Sequence, residues 1–201
     1  MRRNGVRREV SERVTFKHDD GKVLEGWALN VSRGGLRAVT GVMRAVYTAS
    51  PGQLHLELTA DDLAVNNAKL DWSATADIAA AGAARTMTWR ATMSGSSAGG
   101  RSFERSNDHT IRWTVGEPCF AFSGTSEGEV RRPNGAVKRS LRVEISEFRR
   151  CRRGCPDAGG RITVTNTSSN ERVELTFDGT NRATFTDVSG KETAIPLLCR
   201  P

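Results

Sequence analysis

Two short motifs near the start carry residue types able to hold a flat, charged ligand. Arg3 and Arg7 stand in "RNGVR", and Asn30, Ser32 and Gly35 follow in "NVSRGG". A guanidinium forks onto phosphate oxygens and also stacks on a planar ring. Asn presents a carbonyl and an amide, and Ser a hydroxyl that donates or accepts. Gly34 and Gly35 allow a turn that other residues resist, and let a ligand approach the main chain. Phosphate grips beside edge-bonding groups describe a nucleotide site. Arg2, Arg8 and Arg33 flank it as candidate helpers.

These residues need a platform, and the surrounding pattern is that of strands. In "VLEGWALNVS" alternation places Leu24, Gly26, Ala28, Asn30 and Ser32 on one face. Val23, Trp27, Leu29 and Val31 take the other, which is expected to bury itself. "ERVTFK" and "KVLEGWALNVS" flank "HDDG", where Asp20-Gly21 marks a hairpin because the turn needs a positive φ. In sequence order, RxxxR followed by [D/N]xSxxG around such a hairpin resembles the PilZ domain family. The resemblance covers residues 2–40 and extends at most to 58. PilZ domains are small β-barrels that bind the bacterial second messenger cyclic di-GMP. By that resemblance Arg3 and Arg7 would grip phosphates and stack on guanine, Asn30 and Ser32 would bond the guanine edge, and Gly35 would keep the turn open.

The remaining chain repeats the period of two, and no segment has a helical period. "GQLHLEL" sets Leu54, Leu56 and Leu58 against Gln53, His55 and Glu57. "KLDWSATADI" and "RTMTWRATM" place Trp72, Ala74, Ala76 and Ile78, then Met87, Trp89, Ala91 and Met93, on apolar faces. "TIRWTV", "CFAFSG", "LRVEISEF", "RITVTN", "ERVELTF" and "NRATFTDV" continue the pattern between Gly, Ser, Asn and Asp turns. "SATADIAAAGAARTM" and "SGSSAGGRS" read as long hairpin loops or edges. The expected fold is all-β: a complete or partial PilZ-like barrel over 1–58, then a β-sandwich-like domain over 59–201 with four cysteines.

Cys119, Cys151, Cys155 and Cys199 allow two disulfides in any of three connectivities. Four zinc ligands and four reduced buried thiols are the rival readings; "CRRGC" has a permitted ligand spacing, but Cys119 and Cys199 stand alone. No metal or other cofactor is expected. The histidines, His18, His55 and His109, belong to no catalytic motif; His18 falls at a hairpin tip and His109, after Asp108, in what reads as a turn.

The net charge is +7 and the pI about 9.8. Two basic stretches carry it, residues 1–17 and residues 131–153. The second holds Arg149, Arg150, Arg152 and Arg153 without interleaved aromatic residues, so nucleic acid is not the expected partner. No apolar run long enough for a membrane span or signal peptide occurs, which leads to an expected cytoplasmic location, although the cysteine-bearing half would also suit an exported protein. The resemblance implies a non-enzymatic cyclic di-GMP receptor acting on an unidentified downstream protein. The alternative is a disulfide-bonded structural or cell-surface β module with a vestigial motif.

Overall fold

The computed structural model describes residues 11–17, 23–29, 31–32, 35–36, 39–65, 68–152 and 154–199. These residues are all-β, with no helix among them. β1 (Ser11–Lys17) and β2 (Val23–Leu29) form an antiparallel hairpin, and β1 also lies against β5. β3 (Val31–Ser32) and β4 (Gly35–Leu36) form a second, very short one. The rest is one 11-stranded antiparallel sheet in strict chain order. Its strands are β5 (Val39–Ser50), β6 (Gln53–Val65), β7 (Ala68–Ala81), β8 (Ala84–Ser96), β9 (Ser102–Thr114), β10 (Cys119–Arg131) and β11 (Val137–Cys151). Four shorter ones complete it: β12 (Arg161–Asn166), β13 (Arg172–Phe177), β14 (Arg182–Thr186) and β15 (Glu192–Pro196).

The all-β class is as expected, but the sheet is not a closed barrel. β5 and β15 are its edges. Residues beyond 58 continue the same ladder instead of forming a second, two-sheet domain, and the expected boundary at 58/59 falls inside β6. Alternation specifies which residues form strands. Closure depends on tilt and stagger between strands, which alternation does not encode.

Rows of side chains cross the sheet with little interruption. One runs Tyr47, Leu56, Ala76, Trp89, His109, Gly124, Ile145, Ile162, Leu175 and Phe185. The next runs Leu58, Ala74, Ala91, Asn107, Ser126, Val143, Val164 and Val173. The opposite face is polar: Asp77, Thr88 and Thr110 face solvent beside Thr75, Arg90 and Asp108.

The Ala-rich segment expected to be hairpin loop or edge lies inside this sheet, in the β7–β8 hairpin, which turns at Gly82-Ala83. Its low complexity has a packing cause. Ala74 is 2% exposed and Ala91 6%, and they are cross-strand partners. The Trp72 and Trp89 rings come within 6.2 Å of each other, bracketing this pair. Larger residues at 74 and 91 would fill the space over which the indoles lean.

One irregularity keeps the apolar face continuous. In β11 the residues Leu141, Val143 and Ile145 share a face, so strict alternation would send Phe148 to the other. Instead Phe122 pairs with Phe148 and Gly124 with Ile145, so Ser146 and Glu147 together oppose Ser123. This β-bulge, with Glu147 at φ 51°, returns Phe148 to the apolar face. There Phe148 meets Phe120 at 6.3 Å and Phe177 at 5.4 Å. Opposite the bulge, a Cβ on Gly124 would fall 2.2 Å from the Asp108 carbonyl oxygen and 2.6 Å from the His109 Cα. Its φ of +142° also disfavours any L side chain, so only glycine fits.

The two ends of the sheet are finished differently. At one end lie the turns 51–52, 82–83, 115–118, 152–160 and 178–181. Here two disulfides, Cys119–Cys151 and Cys155–Cys199, pin the chain, and no described cysteine is free. We call this the stapled end. The turns 97–101, 132–136, 167–171 and 187–191 form the other, open end.

Candidate functional site

Of the expected nucleotide-binding residues, Arg3, Arg7 and Asn30 lie outside the described residues, as do the helpers Arg2, Arg8 and Arg33. Ser32 and Gly35 are placed: they are cross-strand partners in the β3–β4 hairpin, joined by residues 33–34. The expected hairpin is present, with Phe16 opposite Leu24 and Lys17 opposite Val23, and Asp20-Gly21 falls in its connection, outside the described residues. The stretch read as one strand from Val23 through Ser32 is placed as β2 and β3, in two different ladders, with Asn30 between them outside the described residues.

The cysteines are brought together as pairs, which selects one of the three connectivities. Cys119 and Cys151 are partners at the β10–β11 ladder's end, while Cys155 ties the following loop to Cys199 beyond β15. The loop between them is held throughout. The Arg149 Nη1 donates to Asp157 Oδ2 at 2.5 Å, and the Arg150 Nε donates to the Gly154 carbonyl at 3.0 Å. Main-chain bonds join Arg152 to Pro118 and Asp157 to Arg149. Cys155 and Pro156 are buried. With every cysteine in a disulfide, the four-thiolate zinc reading has no ligands, and no cluster of metal-binding side chains occurs among the described residues.

His109 is in the middle of β9, between Trp89 and Gly124, and not in a turn. Its neighbours form a polar chain inside the apolar face that the sequence pattern did not reveal. Its Nε2 is 3.1 Å from Ser126 Oγ, and Ser126 Oγ donates to Asn107 Oδ1 at 2.8 Å. The Arg105 Nε donates to the same Asn107 oxygen at 3.2 Å. A hydroxyl has one proton, and here Asn107 takes it, so the His109 Nε2 must carry hydrogen and donate to Ser126. That leaves the Nδ1 as a bare, buried lone pair without a partner. Burial, with help from Arg105 and against the pull of Asp108, lowers the His109 pKa below its ordinary value, which keeps the ring neutral. A serine nucleophile needs the opposite arrangement, an unprotonated Nε2 receiving the hydroxyl proton. The trio is therefore a structural relay. Period-two reading could have flagged it, because Asn107 and His109 fall in phase with Ile111 and Trp113.

His55 behaves in the contrary way on the polar face. Its Nδ1 meets Asp77 at 2.5 Å and its Nε2 meets Glu57 at 3.2 Å, and those bonds raise its pKa. Both ring nitrogens are occupied, so it offers no lone pair to a metal. A groove of about 700 Å³ also crosses the polar face towards the open end, lined among others by Asp71, Ser94, Glu104, Glu127, Glu129 and Arg131. Glu127 is taken by Arg142 and Glu129 by Arg131.

The class defined by these features is an antiparallel meander, without helix among the described residues, with one disulfide-pinned end. Compared with known proteins, the chain matches no family model, no curated protein and no solved structure. No helix among the described residues is long and apolar enough to cross a membrane.

Proposed function

We propose that the chain is a non-catalytic β-sheet module that works in an oxidising compartment as a structural or cell-surface component. The observation that carries this reading is the pairing of all four cysteines at one end of the sheet. Disulfides persist where the surroundings oxidise, and glutathione-type reductants keep thiols open elsewhere. The sheet has reason to need them. Its most deeply buried described residues are small ones, Ala60, Ala74, Ala76 and Ala183, and no large side chain among the described residues is fully buried. A fold with so thin a core gains much from cross-links. Production in parallel in an oxidising and a reducing compartment tests it. Folded, soluble protein from the oxidising compartment alone supports the reading; equal yields of equally stable, reduced protein would sink it.

A second reading keeps the nucleotide site. The observation favouring it is the β3–β4 hairpin, which sets Ser32 and Gly35 of the NxSxxG motif opposite each other. In this reading Arg3 and Arg7 close over cyclic di-GMP against Asn30 and Ser32, and the ordered segment offers a changed surface to a downstream protein. Calorimetric titration with cyclic di-GMP decides it: saturable binding lost in Arg3→Ala/Arg7→Ala supports the receptor, and no binding by folded protein rejects it.

A further inference from the structure

The basic stretch 131–153 is one run in the sequence but two places in the fold. β11 runs the length of the sheet, so Lys138 and Arg139 lie at the open end, while Arg149, Arg150 and Arg152 lie at the stapled end. The strand separates them by roughly 30 Å or more at the usual rise per residue. At the stapled end the Arg149 and Arg150 side chains bond to the loop they adjoin. At the open end Arg131 bonds its own turn at Gly135, and Lys138 and Arg139 do not.

The open end gathers cations from two neighbouring hairpins. The β8–β9 turn brings Arg101 and the β10–β11 turn Arg132; Arg131 ends β10, and Lys138 and Arg139 stand at the start of β11. The turns touch: a Cβ on Gly100 would lie 3.6 Å from the Pro133 ring. Arg131 is held by Glu129 and the Gly135 carbonyl. Arg101, Arg132, Lys138 and Arg139 are exposed, and among the described residues no carboxylate pairs with any of them. A third turn, 167–171, joins this edge through the Thr167–Ser140 hydroxyl bond at 2.5 Å and adds Ser168 and Asn170, while its Ser169 hydroxyl donates to Glu171. Successive turns at one end of an antiparallel meander lie about 10 Å apart, so the three make a row. Both turns are short and well bonded, through Ser97–Arg101, Arg132–Ala136 and Arg132–Gly135, which seats Arg101 and Arg132 firmly, and Lys138 and Arg139 follow on strand β11.

We infer that this row of hairpin turns is a docking surface for an anionic polysaccharide bearing carboxylate or sulfate groups. Unpaired guanidinium and ammonium groups supply the charge-assisted bonds, and the hydroxyl and amide side chains beside them suit sugar hydroxyls. No aromatic residue lies in turns 97–101, 132–139 or 167–170, so the surface lacks the stacking platform through which proteins hold single-stranded nucleic acid.

The test is a binding titration of the whole chain with a heparin-derived octasaccharide, beside a DNA duplex of similar length. Two variants remove equal charge: Arg132→Gln/Lys138→Gln/Arg139→Gln at the open end, and Arg112→Gln/Arg152→Gln/Arg182→Gln, exposed elsewhere. Circular dichroism confirms that both are folded. The expected result is octasaccharide binding that weakens about tenfold in the open-end variant and less than about twofold in the other, and that fades with salt. Absence of binding, equal losses in both variants, or tighter binding of the duplex would each overturn the inference.

Discussion

The two ends of the sheet use the same residue types for opposite purposes. At the stapled end, arginine is an internal fastener: Arg149 holds Asp157, Arg150 holds the Gly154 carbonyl, and two disulfides close the loop around Cys155. At the open end, Arg101 and Arg132 in short turns, and Lys138 and Arg139 at the adjoining start of β11, have no acidic partner among the described residues. Basic composition is thus no single signal. An arginine beside a loop carbonyl or carboxylate serves the fold, and one that leaves a tight turn unpaired is available to something else.

The largest expected effect lies at the stapled end. Cys119 and Cys151 are separated by 32 residues, and opening their bridge frees that loop in the unfolded chain. Cys119→Ala/Cys151→Ala is expected to lower the unfolding free energy by about 4 kcal/mol in urea denaturation. Lys138→Ala/Arg139→Ala at the open end should change it by less than about 0.5 kcal/mol. Comparable losses at both ends would dissolve the contrast.

Between the ends, Gly124 of β10 packs its main chain tightly against Asp108 and His109 of β9. Gly124→Ala places a methyl against the Asp108 carbonyl and the His109 main chain at a positive φ. We expect a loss of about 3 kcal/mol, read from the same denaturation curves. A loss under about 1 kcal/mol would show that the β11 bulge opposite it absorbs the strain.

These two sites mark how far the sequence could be read. Alternation placed Trp72, Trp89, Met87 and Met93 on one face, and the ladder bears this out. The same rule missed the bulge at Ser146-Glu147, because a bulge inserts a residue that the pattern records as an ordinary phase change. It leaves the Ala-rich segment around Gly82 as loop or edge, since small residues signal exposure or tight packing equally well. The count of four cysteines left three pairings open, and only the ladder register placed Cys119 across from Cys151. Asn107, Ser126 and His109 stayed hidden for a related reason: polar residues in an apolar phase read as turns until strand partners are known.

The His109 relay makes the centre of the sheet sensitive to acid. Its folded pKa lies below the ordinary 6.5, so the unfolded chain takes up the proton first as pH falls. Its contribution is complete above about pH 6.5 and is lost as pH drops through the folded value. His55 has the reverse sign: its exposed contribution is complete below 6.5 and fades as pH rises through its raised value. Thermal melts from pH 7.5 down to pH 4.5 should show an acid-side decline that His109→Gln flattens and His55→Gln leaves in place. The opposite pattern would locate the sensitivity on the polar face.

The smallest effect sharpens the comparison most finely. Arg149→Ala removes an ion pair that is half exposed, and should cost about 0.5–1 kcal/mol in denaturation. Arg139→Ala should cost nothing measurable, since it leaves no partner behind.

Disulfide mapping by mass spectrometry of the protein, purified without reductant from an oxidising host, tests the central claim most directly. The account predicts two cross-linked peptide pairs, Cys119 with Cys151 and Cys155 with Cys199, and no free thiol. Four free thiols in a folded protein of unchanged stability would contradict it, and so would either of the other two pairings.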